Sequence, residues 1–212
     1  MNTALVKAPA QELLDSLDGT AYVVDAGGAI VAYGRPNWAN FASKNGGPAI
    51  ADPANILGRK LLDFVSGEAV KASIQRFMED LRMQRTGAVV VPYRCDAPAF
   101  VREMRLAITP LERAGESPGF LFHSVMLSET MRPPLDIYDH KALASMLDEE
   151  RRLPILAMCS YCLKVRFPPG GTDQSKGWVS GEEYYRLGGI SAVRISHGIC
   201  PECMEMLSRE PV

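Results

Sequence analysis

The chain lacks the patterns that mark most enzymes and most attachment devices. It has no paired carboxylates, no Ser/His/Asp set and no glycine-rich phosphate loop, so the sequence gives no ground for catalysis and reads as a non-enzyme. It lacks an excess of either charge. The net value of −2 gives no bulk attraction to nucleic acid or to an anionic membrane. Long apolar runs are missing, and stretches such as residues 88–91 are far too short to span a bilayer. Residues 1–11 lack the basic start and apolar run of a secretory leader. There is no internal repeat and no low-complexity segment. The expectation is a cytoplasmic protein with reduced thiols and no membrane contact. The 212 residues allow one ordinary domain and a small annex.

What is present is concentrated near the end. Cysteine is scarce, with five in the chain, yet four of them form two C-x-x-C pairs, Cys159/Cys162 and Cys200/Cys203. That spacing lets two thiolates from one tight turn reach one tetrahedral ion, and two such turns complete its shell. Soft sulfur ligands in that array select zinc. Two rivals stay open: a dithiol redox switch, since a cysteine at a helix start has a lowered pKa, and structural disulfides, which an absent leader disfavours. Cys200 and Cys203 precede a short helix expected from residue 204 to 209. His197, three residues before Cys200, is a fifth candidate ligand, or a polar residue supporting the site. The stretch between the pairs exceeds the usual ribbon spacing and must hold structure of its own.

Residues 1–11 read as a loose tail. Apolar residues at 13, 14 and 17 suggest one helical face. Strands are expected at 21–25 and 29–34 around the Ala26-Gly27-Gly28 turn, making a hairpin. A short helix over 37–43 has Asn37 as its expected N-cap, and helical turns follow over 49–65. The longest helix is expected at 66–85, where Val70, Ile74, Phe77 and Leu81 form one stripe. Three strands follow at 88–95, 100–109 and 119–127, with Met104, Leu106 and Ile108 sharing a face. Beyond Pro133-Pro134 a mostly exposed helix to residue 152 reads as a connector.

This order of hairpin, short helices, one longer helix and three strands resembles a PAS domain, the small sensor fold of bacterial signalling proteins. Asn37-x-x-x-Phe41 followed by Leu57-Gly58-Arg59-x-Leu61 is typical of that family. The end of the chain also has a likeness. Met158-Cys-Ser-Tyr-Cys-Leu-Lys164, then Trp178, Glu182-Glu183 and Tyr184, then Ser196-His-Gly-Ile-Cys-Pro-Glu-Cys203, is similar to a cysteine-rich segment that trails PAS, GAF or receiver domains in bacterial regulators. Tyr93-Arg-Cys-Asp-Ala-Pro98 recurs in short proteins of the same layout. The resemblance implies signalling and suggests a metal site. No Asn-Cys-Arg-Phe-Leu flavin motif is present, and no histidine lies at 66–94 for an axial haem ligand. The PAS pocket is therefore expected to be filled by its own side chains or to take an unidentified small molecule.

Other residues have blander readings. Cys95 ends a strand and reads as a small buried hydrophobe. His123 sits mid-strand as a satisfied, partly buried imidazole. His140 lies on the connector, but no ATP-binding module accompanies it. Arg102 shares parity with Met104 and is expected to snorkel outward. The acidic runs at 148–150 and 182–183 read as solvated faces.

The expected architecture is α+β. A flexible tail (1–11) precedes a PAS-like five-stranded antiparallel sheet with flanking helices (12–128). A helical connector (133–153) leads to a small zinc-ribbon-like module (154–212). The expected function is a cytoplasmic sensor acting through protein–protein contact, a homodimer, with one structural zinc on Cys159, Cys162, Cys200 and Cys203. The alternative is a thiol redox sensor whose pairs lose metal and form disulfides on oxidation. Residues 151–212 carry eight Lys/Arg against six Asp/Glu, too small an excess for a nucleic-acid surface.

Overall fold

A computed structural model of the chain describes residues 10–44, 48–84, 87–111, 119–139, 153–167 and 177–208. The hairpin near the start closes on Asp25. Its Oδ1 accepts the N–H groups of Gly27 (2.9 Å) and Ala29 (2.8 Å), and Gly28 takes φ +84°, which glycine adopts without strain. The turn joins β1 (Thr20–Val24) to β2 (Ile30–Tyr33), with Tyr22 opposite Tyr33. α1 (Ala10–Ser16) precedes them and buries none of its residues.

α2 (Arg35–Lys44) follows β2 directly. Asn37 is not its cap. The helix starts two residues earlier, and the Asn37 amide instead donates to the Leu17 carbonyl at 2.7 Å. Single 3₁₀ turns at Pro48–Ala51, Pro53–Asn55 and Leu61–Phe64 account for the stretch expected to be helical turns. α3 (Glu68–Gln84) carries the expected stripe: Val70, Phe77 and Leu81 are buried, as is Met78, while Ile74 is half-buried. Burying Phe77 and Leu81 stabilises by about 2 kcal/mol each.

β3 (Val89–Arg94), β4 (Phe100–Leu111) and β5 (Gly119–Met131) complete a sheet of order β2-β1-β5-β4-β3. β1 pairs antiparallel with both β2 and β5. The fold is thus α+β, with a five-stranded antiparallel sheet and helices inserted between β2 and β3, the arrangement that the PAS resemblance implies.

Contacts divide the chain into two compact units. The first takes Met1–Val65, Gln75–Val90 and Leu106–Val125. Its core is built on Val24, Ile30, Ile56, Leu81, Ile108 and Phe120, all fully buried. Tyr22 stacks on Phe122 at 5.1 Å and meets the edge of Trp38 at 5.6 Å.

The second unit takes Ser66–Ile74, Val91–Arg105 and Met126–Val212. It contains a separate sheet of order β8-β7-β6-β9, from β6 (Ile155–Cys159), β7 (Val165–Arg166), β8 (Trp178–Val179) and β9 (Arg194–Gly198). α4 (Gly181–Arg186) starts at Ser180, whose hydroxyl caps the Glu183 N–H. α5 (Pro201–Ser208) ends the described chain. The core holds Ile137, Tyr138, Leu156, Met158, Val165, Tyr184 and Val193. The connector reading needs correction at its start. Asp136–Tyr138 is one 3₁₀ turn, and Ile137 and Tyr138 point into this core rather than along an exposed helix. The Tyr138 hydroxyl donates to the Leu163 carbonyl at 3.0 Å, and the Ile137 N–H donates to the Tyr185 hydroxyl at 3.2 Å. Residues 140–152, with His140 and the acidic run at 148–150, lie outside the described residues.

Candidate metal centre

Two neighbouring strands deliver the first cysteine of each pair. β6 and β9 run parallel, with Leu156 opposite Ile195 and Cys159 opposite Gly198. Both chains therefore leave the sheet at the same level, one into Cys159-Ser160-Tyr161-Cys162 and the other into Cys200. The first pair closes a β6–β7 turn: the Cys159 N–H donates to the Lys164 carbonyl (2.8 Å) and the Leu163 N–H to the Cys159 carbonyl (3.0 Å). Leu163 sits at φ +58°, the one non-glycine residue with positive φ among the described residues, and its side chain packs on the second core. The second pair is not on a hairpin turn. Pro201 occupies the first helical position, as proline favours, so Cys203 lies within the first turn of α5.

The four sulfurs all lie within 4.8 Å of one another, and Cys162 Sγ is 3.6 Å from Cys200 Sγ. Regular tetrahedral zinc thiolate has edges of about 3.8 Å, from Zn–S bonds near 2.3 Å. The donor set fits a soft four-coordinate ion. Backbone N–H groups point at the sulfurs, from Cys200 to Cys159 (3.4 Å) and from Cys203 to Cys200 (3.5 Å). Cys159 is drawn down to about 4 by the Cys162 thiol that hydrogen-bonds to it, with help from the N–H groups of Cys162, Cys200 and Tyr161. Cys162 is driven up because it makes that same bond and is buried, and Cys203 is pushed up to about 12 by burial and the neighbouring thiolate. Binding a divalent ion displaces the protons that its thiol ligands carry. Lys164, paired to Glu202 at 2.5 Å, sets a positive charge near the sulfurs of Cys162 and Cys200.

His197 lies on β9 opposite Met158 and is outside the four-sulfur group. Cys95 is also outside it, half-buried, with burial pushing its thiol up. The His123 ring nitrogen lies 2.6 Å from the Asp18 carbonyl oxygen. Arg102 pairs with Glu129 at 2.6 Å and lies over the Phe100 ring. Glu182 is not simply solvated: it pairs with Arg132 at 3.1 Å.

The sequence reading missed a buried ionic cluster. The Asp96 side chain is fully buried and paired to Arg94 and, at 2.9 Å, to Arg132. Arg132 also donates to the Ala97 and Pro98 carbonyls and lies 4.4 Å above the Tyr138 ring. Within the Tyr93–Pro98 stretch, Arg94 and Asp96 stand two apart, which hints at the local half of the cluster, while nothing in the sequence points to Arg132.

In the first unit a groove of about 580 Å³ is lined partly by Lys60, Asp63, Glu79 and Arg82. Lys60 donates to the Gly27 carbonyl and Arg82 to the Ala26 carbonyl, so both cations brace the β1–β2 turn. No described helix is long and apolar enough to cross a membrane.

No family model matches the chain, and no curated protein matches it. Among solved structures it is similar to a domain of an HTR-like protein from Haloarcula marismortui, at 20% identity over 51% of this chain and 97% of that one, with TM-score 0.36. It is similar to the phage VqmA–DPO complex, at 19% identity over 59% of this chain and 52% of that one, with TM-score 0.41. It is also similar to the PAS domain of BvgS from Bordetella pertussis, at 16% identity over 69% and 95%, with TM-score 0.42. At these scores, the PAS-like description stands on the strand order and the inserted helices.

Proposed function

We propose that this chain is a signalling protein in which a PAS-like sensor domain is joined to a zinc-stabilised cysteine module, and that it acts by contact with a protein partner. The observation that carries the metal half is the four-sulfur group, drawn from two pairs far apart in sequence. Four sulfurs leave no open position, so the ion is structural rather than catalytic. The module needs it: a core of seven buried residues is small, and structural zinc supplies on the order of 10 kcal/mol of folding energy.

Metal analysis of the purified full chain is the test. About one zinc per chain is expected; a folded module with no zinc overturns the reading. On the structural reading the zinc stays bound under mild peroxide. Release that a thiol reductant reverses would move the site to the redox alternative, in which peroxide takes two electrons from a pair of thiols and leaves a disulfide and water.

We propose further that the chain is a cytoplasmic homodimer. Leu13 on α1 is 57% exposed and gives that helix an uncovered apolar residue. Sedimentation should give twice the chain mass, and Leu13→Asp should shift it toward the monomer. A wild-type monomer at micromolar concentration refutes this.

A further inference from the structure

Tyr161 sits between the cysteines of the first pair, and the metal reading uses its backbone N–H but assigns its side chain no role. Yet it is buried. Its hydroxyl lies 2.6 Å from Ser73 Oγ on α3. The Ser73 hydrogen goes to the Val70 carbonyl at 2.8 Å, so the tyrosine is the donor to Ser73. The Tyr161 carbonyl accepts the Arg94 N–H from the end of β3 at 2.7 Å, and the Ser160 N–H reaches the Gly198 carbonyl at 2.9 Å. The turn bearing two of the sulfurs is thus fastened to α3, to β3 and to β9.

The same helix start touches the other half of the site. Gly67, just before α3, has φ +89°, and a Cβ there would stand 3.0 Å from the His197 carbonyl oxygen. His197 lies three residues before Cys200. The first turns of α3 therefore meet the residue between one pair of cysteines and the strand leading into the other.

We infer that Tyr161 is a positioning residue for the metal centre, and that through Tyr161 and Ser73 the occupancy of the centre is linked to the order of α3 over residues 68–74. This rests on the zinc reading of the four cysteines. The linkage is reciprocal: whatever fixes this end of the helix tightens the grip on the ion, and loss of the ion loosens the helix end. α3 continues into residues 77, 78 and 81, which are buried, so the helix is otherwise a core element and not a free end.

The test uses the full chain with zinc and after chelator stripping, with amide hydrogen exchange read over residues 70–74. Exchange there should quicken at least about tenfold on stripping, at the lower end of ordinary coupling between sites. Tyr161→Phe keeps the ring and removes the donor. It should weaken zinc about five- to tenfold in competition with a chromophoric chelator. Ser73→Ala should match it, and the double variant should lose no more than either single one, since they share one bond. Stoichiometric zinc with unchanged exchange at 70–74, or Tyr161→Phe with wild-type affinity, overturns the inference alone. A wild-type chain that takes up no zinc removes the metal reading itself, and the linkage with it.

Discussion

Cys200→Ser is expected to empty the metal centre and unfold the sheet that carries it. Serine keeps the shape and loses the thiolate, and a three-sulfur site with a hydroxyl in the fourth place binds zinc far more weakly. Cys200 is fully buried, and its sulfur both contacts Cys162 and accepts the Cys203 N–H. Zinc should fall from about one per chain to near zero, with loss of most of the roughly 10 kcal/mol tied to metal binding. Hydrogen exchange locates the damage. Amides of β6 and β9 should lose protection, while the β1–β5 ladder, from Thr20 opposite Ser124 to Val24 opposite Phe120, keeps it. Wild-type protection of β6 and β9 in the zinc-free variant would show that the core stands without the ion.

Asp96→Ala should cost about 3–5 kcal/mol, the range for breaking a buried ion pair and leaving a charge unmatched. Asp96 has no exposed side-chain surface and Arg132 very little, so water cannot replace the lost carboxylate. Asp96 also accepts the Arg102 N–H at 3.2 Å, so a backbone donor is orphaned too. The other carboxylate on Arg132, Glu182, is half-exposed, and the Ala97 and Pro98 carbonyls that Arg132 also reaches carry no charge. Denaturant unfolding should show a lower midpoint at similar slope. A loss below about 1 kcal/mol would mean that Arg94 and Arg132 find other partners.

The cysteine pairs were legible because ligand spacing is written locally, in four residues at a time. The stripe on α3 was legible because Val70, Phe77 and Leu81 repeat at helical period. The hairpin was legible from its glycines. Contacts that join distant residues left no local trace. Asp96 and Arg132 are 36 positions apart (132 less 96), and each alone looks like an ordinary surface charge. Ser73 and Tyr161 are 88 apart. The parallel pairing of β6 with β9 was hidden because each strand has five residues and β9 shows no clean alternation of burial. Tyr138 fitted a helical stripe with Leu135 by spacing, yet it and Ile137 pack among Leu163 and Tyr185, which no period in the sequence connects to them.

Leu163 makes the first cysteine turn depend on the core. A left-handed backbone at a leucine costs about 1–2 kcal/mol, which glycine at that place would avoid. What offsets it is the leucine's packing on the core and the Tyr138 hydroxyl on its carbonyl. The turn is therefore a poor nucleus on its own. A short peptide cut around Cys159 and Cys162 would hold the two sulfurs in place only a small part of the time. The bend at Leu163 is thus held only where the core and the ion act together, each supporting the shape that the other needs.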